Sequence, residues 1–310
     1  MSLKLSLRLP EGGAGFYFLH CLTIVCKANE ICRLRFGIWI LGFAFLLACA
    51  STPQPTPLLP FTPAPLPTLG RPQGGAPTPT PAPADTGWLA QSRGLDRREI
   101  AARFQSLGFE ERLILFRIDP AYFSFRVLYT PGIPRRVSEW GAEVGARLAF
   151  NAAFFDEKDI AVGLVVSDGK VFGESYEGFG GMFAVDAEGQ PSIRSLAAQP
   201  YQPGEPLAQA VQGFPMLIYP DASAFAEGDE KRARRTAVGQ DAAGRVYLVV
   251  APHNAFTLAE FAAWLHDSDL GLTAALNLDG GGSTGYYAGP GDAVDSFTPV
   301  PAVVAVYAKE

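Results

Sequence analysis

The stretch ALNLDGGGSTGYY, residues 275–287, passes from apolar residues into one carboxylate, three successive glycines and two hydroxyl residues, then returns to aromatics. Glycines after a strand permit positive φ and let backbone N–H groups approach a ligand with no side chain between, which is how an anion-binding nest is built. In that reading Gly280, Gly281 and Gly282 supply donors, and Asp279 faces the same space with Asn277, Ser283 and Thr284 around it. The same residues also suit a plain turn. The pattern fits neither the phosphate-binding P-loop nor the dinucleotide fingerprint.

Three further stretches carry residue types that a scaffold does not require. In FNAAFFDEKD, residues 150–159, Asn151 stands on a strand of Phe and Ala and the motif runs into Asp156. An unpaired amide buried there costs about 1–3 kcal/mol, so Asn151 is either a structural bracket or a ligand contact. In GLVVSDGKVFG, residues 163–173, Asp168-Gly169 predicts a hairpin turn, which leaves Gly163 as the position where another group could pass close to the backbone. In KRARRTAVGQD, residues 231–241, most of the basic run reads as solvated surface. Arg235, entering a strand beside Thr236, is placed to fork onto a phosphate. Beyond position 49 the only asparagines are Asn151, Asn254 and Asn277, and two of them lie beside the candidate carboxylates Asp156 and Asp279. His253 follows an apolar strand and reads as a loop residue, with proton donor or metal ligand as the functional alternative. His266, late in a helix, complements the C-terminal dipole.

Composition narrows the classes. A net charge of −6 in 310 residues offers no basic field for a nucleic-acid backbone. All four cysteines, Cys21, Cys26, Cys32 and Cys49, precede position 50, so thiolate metal or redox chemistry is excluded from the rest of the chain. Arg33 and Arg35 precede the apolar run FGIWILGFAFLLACAS, which is short for a membrane span and suited to a signal peptide. It ends Leu46-Leu47-Ala48-Cys49, similar to a bacterial lipobox in which Cys49 takes the lipid. Residues 1–49 are therefore expected to be a signal segment and 50–87 a spacer. Twelve prolines within 51–83 favour extended polyproline II, with a reach on the order of 100 Å. The expected location is extracytoplasmic, lipid-anchored at the membrane or else secreted.

The elements that must position the candidate residues read as one domain over 88–310. Leu95, Ile100, Phe104 and Leu107 fall at helical spacing in LDRREIAARFQSLGF and predict an amphipathic helix stopped by Gly108. Strands are expected at RLILFRI, YFSFRVLY, RLAFNAAFF, VGLVVS, GGMFAVD, SIRSL, QAVQGFPMLIY, RTAVGQD, RVYLVVAP and VPAVVAVYAK. TLAEFAAWLHDSD predicts a second helix, with Thr257 as N-cap and Glu260 closing a capping box. The class is α+β, an extensive and mostly antiparallel sheet with a few helices.

Taken in order, NAAFFD, GLVVSDG, GFPMLIYPD, RRTAVGQD, FTLAEFAAWL and ALNLDGGGST resemble the phosphodiester glycosidase family over roughly residues 110–308. The resemblance implies a hydrolase acting on a sugar-1-phosphate diester of a cell-envelope or environmental glycan. By position it carries the polar roles to Asn151, Asp156, Arg235, Asn277, Asp279 and Ser283. Arg235 and the glycine-loop amides would then hold the phosphodiester anion, with Asp279 as acid or base and Asp156 as its partner across the scissile bond. Attack at phosphorus would use the two carboxylates as ligands for a divalent cation, the one cofactor the sequence suggests. Where the family commonly has glycine after the asparagine, Ala152 and Ala153 stand, whose methyl groups would narrow the approach there. The alternative reading is a non-catalytic lipoprotein that binds a glycan or phosphoglycan in the same pocket. Expected partners are that glycan and, through the lipid alone, a membrane.

Overall fold

The structure is a computed structural model that describes residues 84–104, 109–227 and 230–310. The expected signal segment with Cys49, and the expected spacer up to residue 83, lie outside the described residues. Along the chain the elements are β1 (Leu89–Ser92), β2 (Leu95–Phe104), β3 (Phe109–Ile118), β4 (Phe123–Tyr129), α1 (Val137–Val144), β5 (Leu148–Asn151), β6 (Val165–Ser167), β7 (Lys170–Phe172), β8 (Gly181–Asp186) and β9 (Pro191–Ser195). There follow β10 (Leu207–Gly213), β11 (Met216–Ile218), β12 (Ala233–Asp241), β13 (Val246–Phe256), α2 (Leu258–Asp267), β14 (Leu272–Asn277), a 3₁₀ turn (Gly281–Ser283), β15 (Tyr286–Tyr287), β16 (Ala293–Val294) and β17 (Ala302–Ala308).

The strands form three sheets, with orders β1-β2-β3-β13-β12-β14-β11, β7-β6-β10-β8-β9 and β16-β15-β5-β17-β4. Every paired strand runs antiparallel to its neighbour. Alternation of side chains across each strand builds two layers of core. Phe116, Phe150, Phe183, Val238 and Val304, drawn from all three sheets, meet in one central cluster. Leu115, Ala237, Val249 and Ala275, on the other face of the seven-stranded sheet, pack under Phe261 and Leu265 of α2. This is the expected α+β domain. It also starts slightly before residue 88, because Asp85 bridges to Ile100 and its carboxylate meets Arg98 at 2.6 Å.

One expectation is overturned. The segment predicted as the first helix is β2, paired along its whole length with β3 from Leu95↔Ile118 to Phe104↔Phe109. Its apolar residues serve two faces rather than one stripe. Leu95 enters the central cluster, while Ile100 and Ala102 face the layer beneath α2. The charged residues between them are answered across strands: buried Arg98 lies between Asp85 and Asp269, and Glu99 sits between Arg97 and Arg112. Such partners exist only in the folded sheet, so helical spacing was a local coincidence. Helix α1 was not expected. It is short and carries Gly141 inside it, where a Cβ would overlap the Tyr287 ring.

QAVQGFPMLIY, expected as one strand, is divided at Phe214-Pro215 into β10 and β11 in different sheets, and β5 stops at Asn151, short of the expected AAFF; the capping box and the hairpin turn are as expected. Thr257 accepts a hydrogen bond from the Glu260 N–H, and the Glu260 carboxylate accepts from the Thr257 N–H, which closes the capping box. The β6–β7 hairpin turns at Asp168 and Gly169, both with positive φ, as a two-residue type I′ turn requires.

Candidate active site

The candidate residues gather where the three sheets meet. Asn151 closes β5, Thr236 lies on β12, and Asp279 follows β14. The Asn151 side chain is fully buried and makes three hydrogen bonds to neighbouring structure. Its Nδ2 donates to the Asp279 carbonyl (2.6 Å), while Oδ1 accepts from Thr236 Oγ1 (2.8 Å) and the Gly285 N–H (3.0 Å). Of the two readings open in the sequence, these contacts make it the bracket. It ties one sheet to another and fixes both ends of the glycine loop. Asn277 is the bracket to the remaining sheet. Its Nδ2 donates to the Phe214 carbonyl (2.7 Å) and its N–H to that of Pro215 (3.0 Å), on either side of a cis peptide bond.

The loop that results is tight. Gly281 has φ +59°, and a Cβ on Gly280 would come within 2.9 Å of the Arg234 carbonyl. The Gly280 N–H donates to Asp279 Oδ1 (2.8 Å), and the Ser283 hydroxyl also bonds that carboxylate. The first amide of the loop thus serves the aspartate rather than an external anion. Burial outweighs these two hydrogen bonds and pushes the Asp279 carboxyl up to about 6.

Tyr176, which the Asp279 charge reaches, and Asn277 and Thr284, which flank the glycine loop in sequence, carry polar atoms with no partner. Tyr176 Oη, Asn277 Oδ1 and Thr284 Oγ1 are all buried without a hydrogen bond. The Tyr176 hydroxyl is pushed up to about 12, by burial and then by the nearby Asp279 charge. Buried polar groups without partners are uncommon in a protein interior, and each is a position where a ligand could supply the missing bond. Tyr176 is placed by Gln212, whose Oε1 accepts from the Tyr176 and Leu164 N–H groups at 2.9 and 3.1 Å. Gly163 supplies the close approach its position suggested, since a Cβ there would meet the Tyr176 ring at 2.8 Å. Tyr176 also lines a cavity of ≈ 810 Å³, together with Tyr201, Ser175 and Glu174. Phe214 stacks on Phe154 (4.5 Å between centroids), and Phe179 stacks on Tyr176 (4.9 Å). Phe179 and Phe214 remain 50% and 39% exposed.

Two candidates lie elsewhere. Asp156 is exposed, and its Oδ1 accepts from the N–H groups of Lys158 and Ile160, both at 2.9 Å, which folds its own turn and holds its carboxyl below the usual range. Arg235 points to the opposite face of β12 from Thr236. There its guanidinium donates to the Phe256 and Lys231 carbonyls at 3.2 and 2.7 Å. Strand alternation instead puts Arg234 on the Thr236 face. Ala152 and Ala153 are buried in the central core, and the Ala152 carbonyl accepts from the Asp279 N–H at 3.1 Å. Among the described residues no group of three His, Cys, Asp or Glu side chains is placed to hold a metal ion. His253 is mostly exposed beside Glu111, and His266 hydrogen-bonds Asp267 at the end of α2. Sequence reasoning missed Tyr176 and Gln212. The signal for Gln212 was an amide inside an otherwise apolar strand.

Residues 144–307, more than half of the chain, match the family model described as phosphodiester glycosidase. The chain belongs to the phosphodiester glycosidase family. No curated protein matches it. Among solved structures, the chain is similar to the catalytic domain of zebrafish N-acetylglucosamine-1-phosphodiester alpha-N-acetylglucosaminidase, auto-inhibited by its pro-peptide. Identity is 18% with a TM-score of 0.55, covering 71% of this chain and 86% of that one. It is also similar to a hypothetical protein from Synechocystis, at 16% identity and a TM-score of 0.56, covering 74% of this chain and 64% of that one. At such identities these likenesses describe the fold, and the family match is what supports a hydrolase-like function.

Proposed function

We propose that this phosphodiester glycosidase hydrolyses a sugar-1-phosphate diester, with Asp279 as its general base. The observation that carries the reading is one carboxylate, enclosed and held near pKa 6, at the head of a glycine loop whose flanking residues Asn277 and Thr284, with nearby Tyr176, carry orphaned polar atoms. Partly exposed rings such as Phe179 and Phe214 stack on the apolar faces of sugars, and Tyr176, Asn277 and Thr284 offer hydrogen bonds to hydroxyl groups. The amides of Gly281 and Gly282, which open the 3₁₀ turn and have no partner within it, would face the phosphodiester.

Cleavage of the sugar C1–O bond expels a phosphate monoester whose departing oxygen is weakly basic and takes the bonding electrons. The demand for proton transfer therefore falls on the attacking water. Asp279 accepts that proton as the water oxygen bonds to C1, and a base of pKa about 6 is matched to neutral or mildly acidic surroundings. Asn151 and Thr236 act only by positioning the loop. The leader ending at Cys49 supports an extracytoplasmic, lipid-anchored enzyme working on glycans within reach of its spacer.

The test is turnover of a sugar-1-phosphate diester in ¹⁸O-labelled water. Label in the sugar and loss of at least about 100-fold in kcat for Asp279→Asn are expected. Label in the phosphate, or an active Asp279→Asn enzyme, overturns the mechanism. Saturable binding without product would select the binding-protein alternative.

A further inference from the structure

A second cavity, of ≈ 540 Å³, is walled by Arg112, Arg136, Arg234, His253, Asp295 and Phe297. Arg234 is 4% exposed, and its guanidinium is held by backbone alone: Nε donates to the Pro252 carbonyl (2.9 Å) and one Nη to that of Asp295 (3.0 Å). The other terminal nitrogen, Nη1, is buried with no hydrogen-bond partner. No carboxylate lies within ion-pair distance of this cation among the described residues. A buried, unneutralised guanidinium with a spare donor is costly unless something anionic completes it.

The acidic groups nearby are otherwise engaged. Asp295 accepts from the Ser138 N–H and hydroxyl at 3.1 and 2.8 Å, anchoring the start of α1. Glu99 pairs with Arg97 at 2.8 Å and with Arg112 at 3.5 Å, and Arg136 lies 4.0 Å from the Asp295 carboxylate. Glu111, fully buried, accepts from the His253 N–H at 3.1 Å, and burial raises its carboxyl towards the neutral form. Phe297, 71% exposed, lies over the Arg234 guanidinium at 4.1 Å and leaves its outer face to solvent.

We infer that this cavity is an anion site for a phosphate group borne on a small molecule whose apolar or ring portion lies on Phe297. Three arginines line it from separate elements: Arg234 from β12 with its spare donor, Arg112 from β3, which also pairs with Glu99 and Glu110, and Arg136 from the start of α1, which also donates to the Ser296 carbonyl. One arginine fork matches a carboxylate, whereas donors arriving from several directions match a tetrahedral anion with three or four oxygens. The inference does not depend on the role given to Asp279.

The experiment is calorimetric titration of the full chain with inorganic phosphate, and separately with acetate, at low ionic strength. Saturable phosphate binding is expected, weakened at least about tenfold by Arg234→Met and several-fold by Arg112→Gln, with Asp279→Asn binding as the parent does and acetate binding much more weakly. Arg112 is partly exposed, so Arg112→Gln decides the matter if Arg234→Met does not fold. The inference is overturned by absence of saturable phosphate binding in the parent, by Arg112→Gln binding like the parent, by acetate binding as tightly as phosphate, or by loss of binding in Asp279→Asn.

Discussion

Replacing Asp279 by asparagine should make this protein more stable at neutral pH while removing its activity. The aspartate is carried from an ordinary 3.8 to about 6 by burial, so ionising it in the fold is harder than ionising it in the unfolded chain. At ~1.36 kcal/mol per pKa unit the ionised form costs the native state about 3 kcal/mol. Between pH 4 and pH 6 the folded protein binds more protons here than the unfolded chain. Stability from this group is therefore full below about pH 4, declines as the pH rises, and is gone above about pH 6. Asparagine keeps an oxygen in place to accept from Gly280 and carries no charge. The variant should thus melt with the parent near pH 4 and roughly 6–12 °C higher at pH 7, at 2–4 °C per kcal/mol for a domain of this size. Glu111, also raised by burial, is common to both proteins and cancels from the comparison. Thermal melts of the two proteins at pH 4, 5, 6 and 7 test this directly. A gap that does not grow with pH would refute the claim that burial of this charge is a standing cost.

If the carboxylate is the base, kcat/KM should rise with pH through about 6 and then level, and a fall through the same range would assign it the acid's role. Asn151→Ala strands the Gly285 N–H and the Thr236 hydroxyl and frees the Asp279 carbonyl, so chemical denaturation should show a loss of about 4 kcal/mol. Arg235→Met should lower the melting temperature by removing the ties to Phe256 and Lys231, while KM for a phosphodiester stays within about twofold. Phe214→Ala should raise KM about five- to tenfold with kcat little changed, because stacking holds the sugar equally in the ground and transition states.

The parts legible in the sequence were those decided by neighbours along the chain. The Thr257–Glu260 box needs residues three apart, the Asp168-Gly169 hairpin needs two, and the Asp279 loop announces itself by its glycines. β2 was misread because Leu95 and Ile100 satisfy a helical stripe and a two-faced strand alike, and only Asp85, Asp269 and Arg112, distant in sequence, decide between them. The same limit explains Arg235. Two adjacent arginines on a strand must face opposite ways, and which of them shares the Thr236 side follows from counting residues, whereas what each meets follows from the sheet. Tyr176, Gln212 and Glu111 are ordinary residues until the third dimension buries them, and no local pattern marks that.

Strand β17 lies between β5 and β4, in the interior of its sheet, although it follows every other element along the chain. The Asn151 backbone pairs with Val303 of β17, so the bracket beneath the candidate site is itself supported by the latest-made strand. As the chain emerges in order, β4 has no strand partner until β17 is made, and β5 has none until β15, shortly before it. Assembly of the sheet, and with it the seating of the glycine loop, is consequently a closing event in synthesis. A nascent chain cut short before Ala302 has made all the candidate catalytic residues but lacks the strand that aligns them.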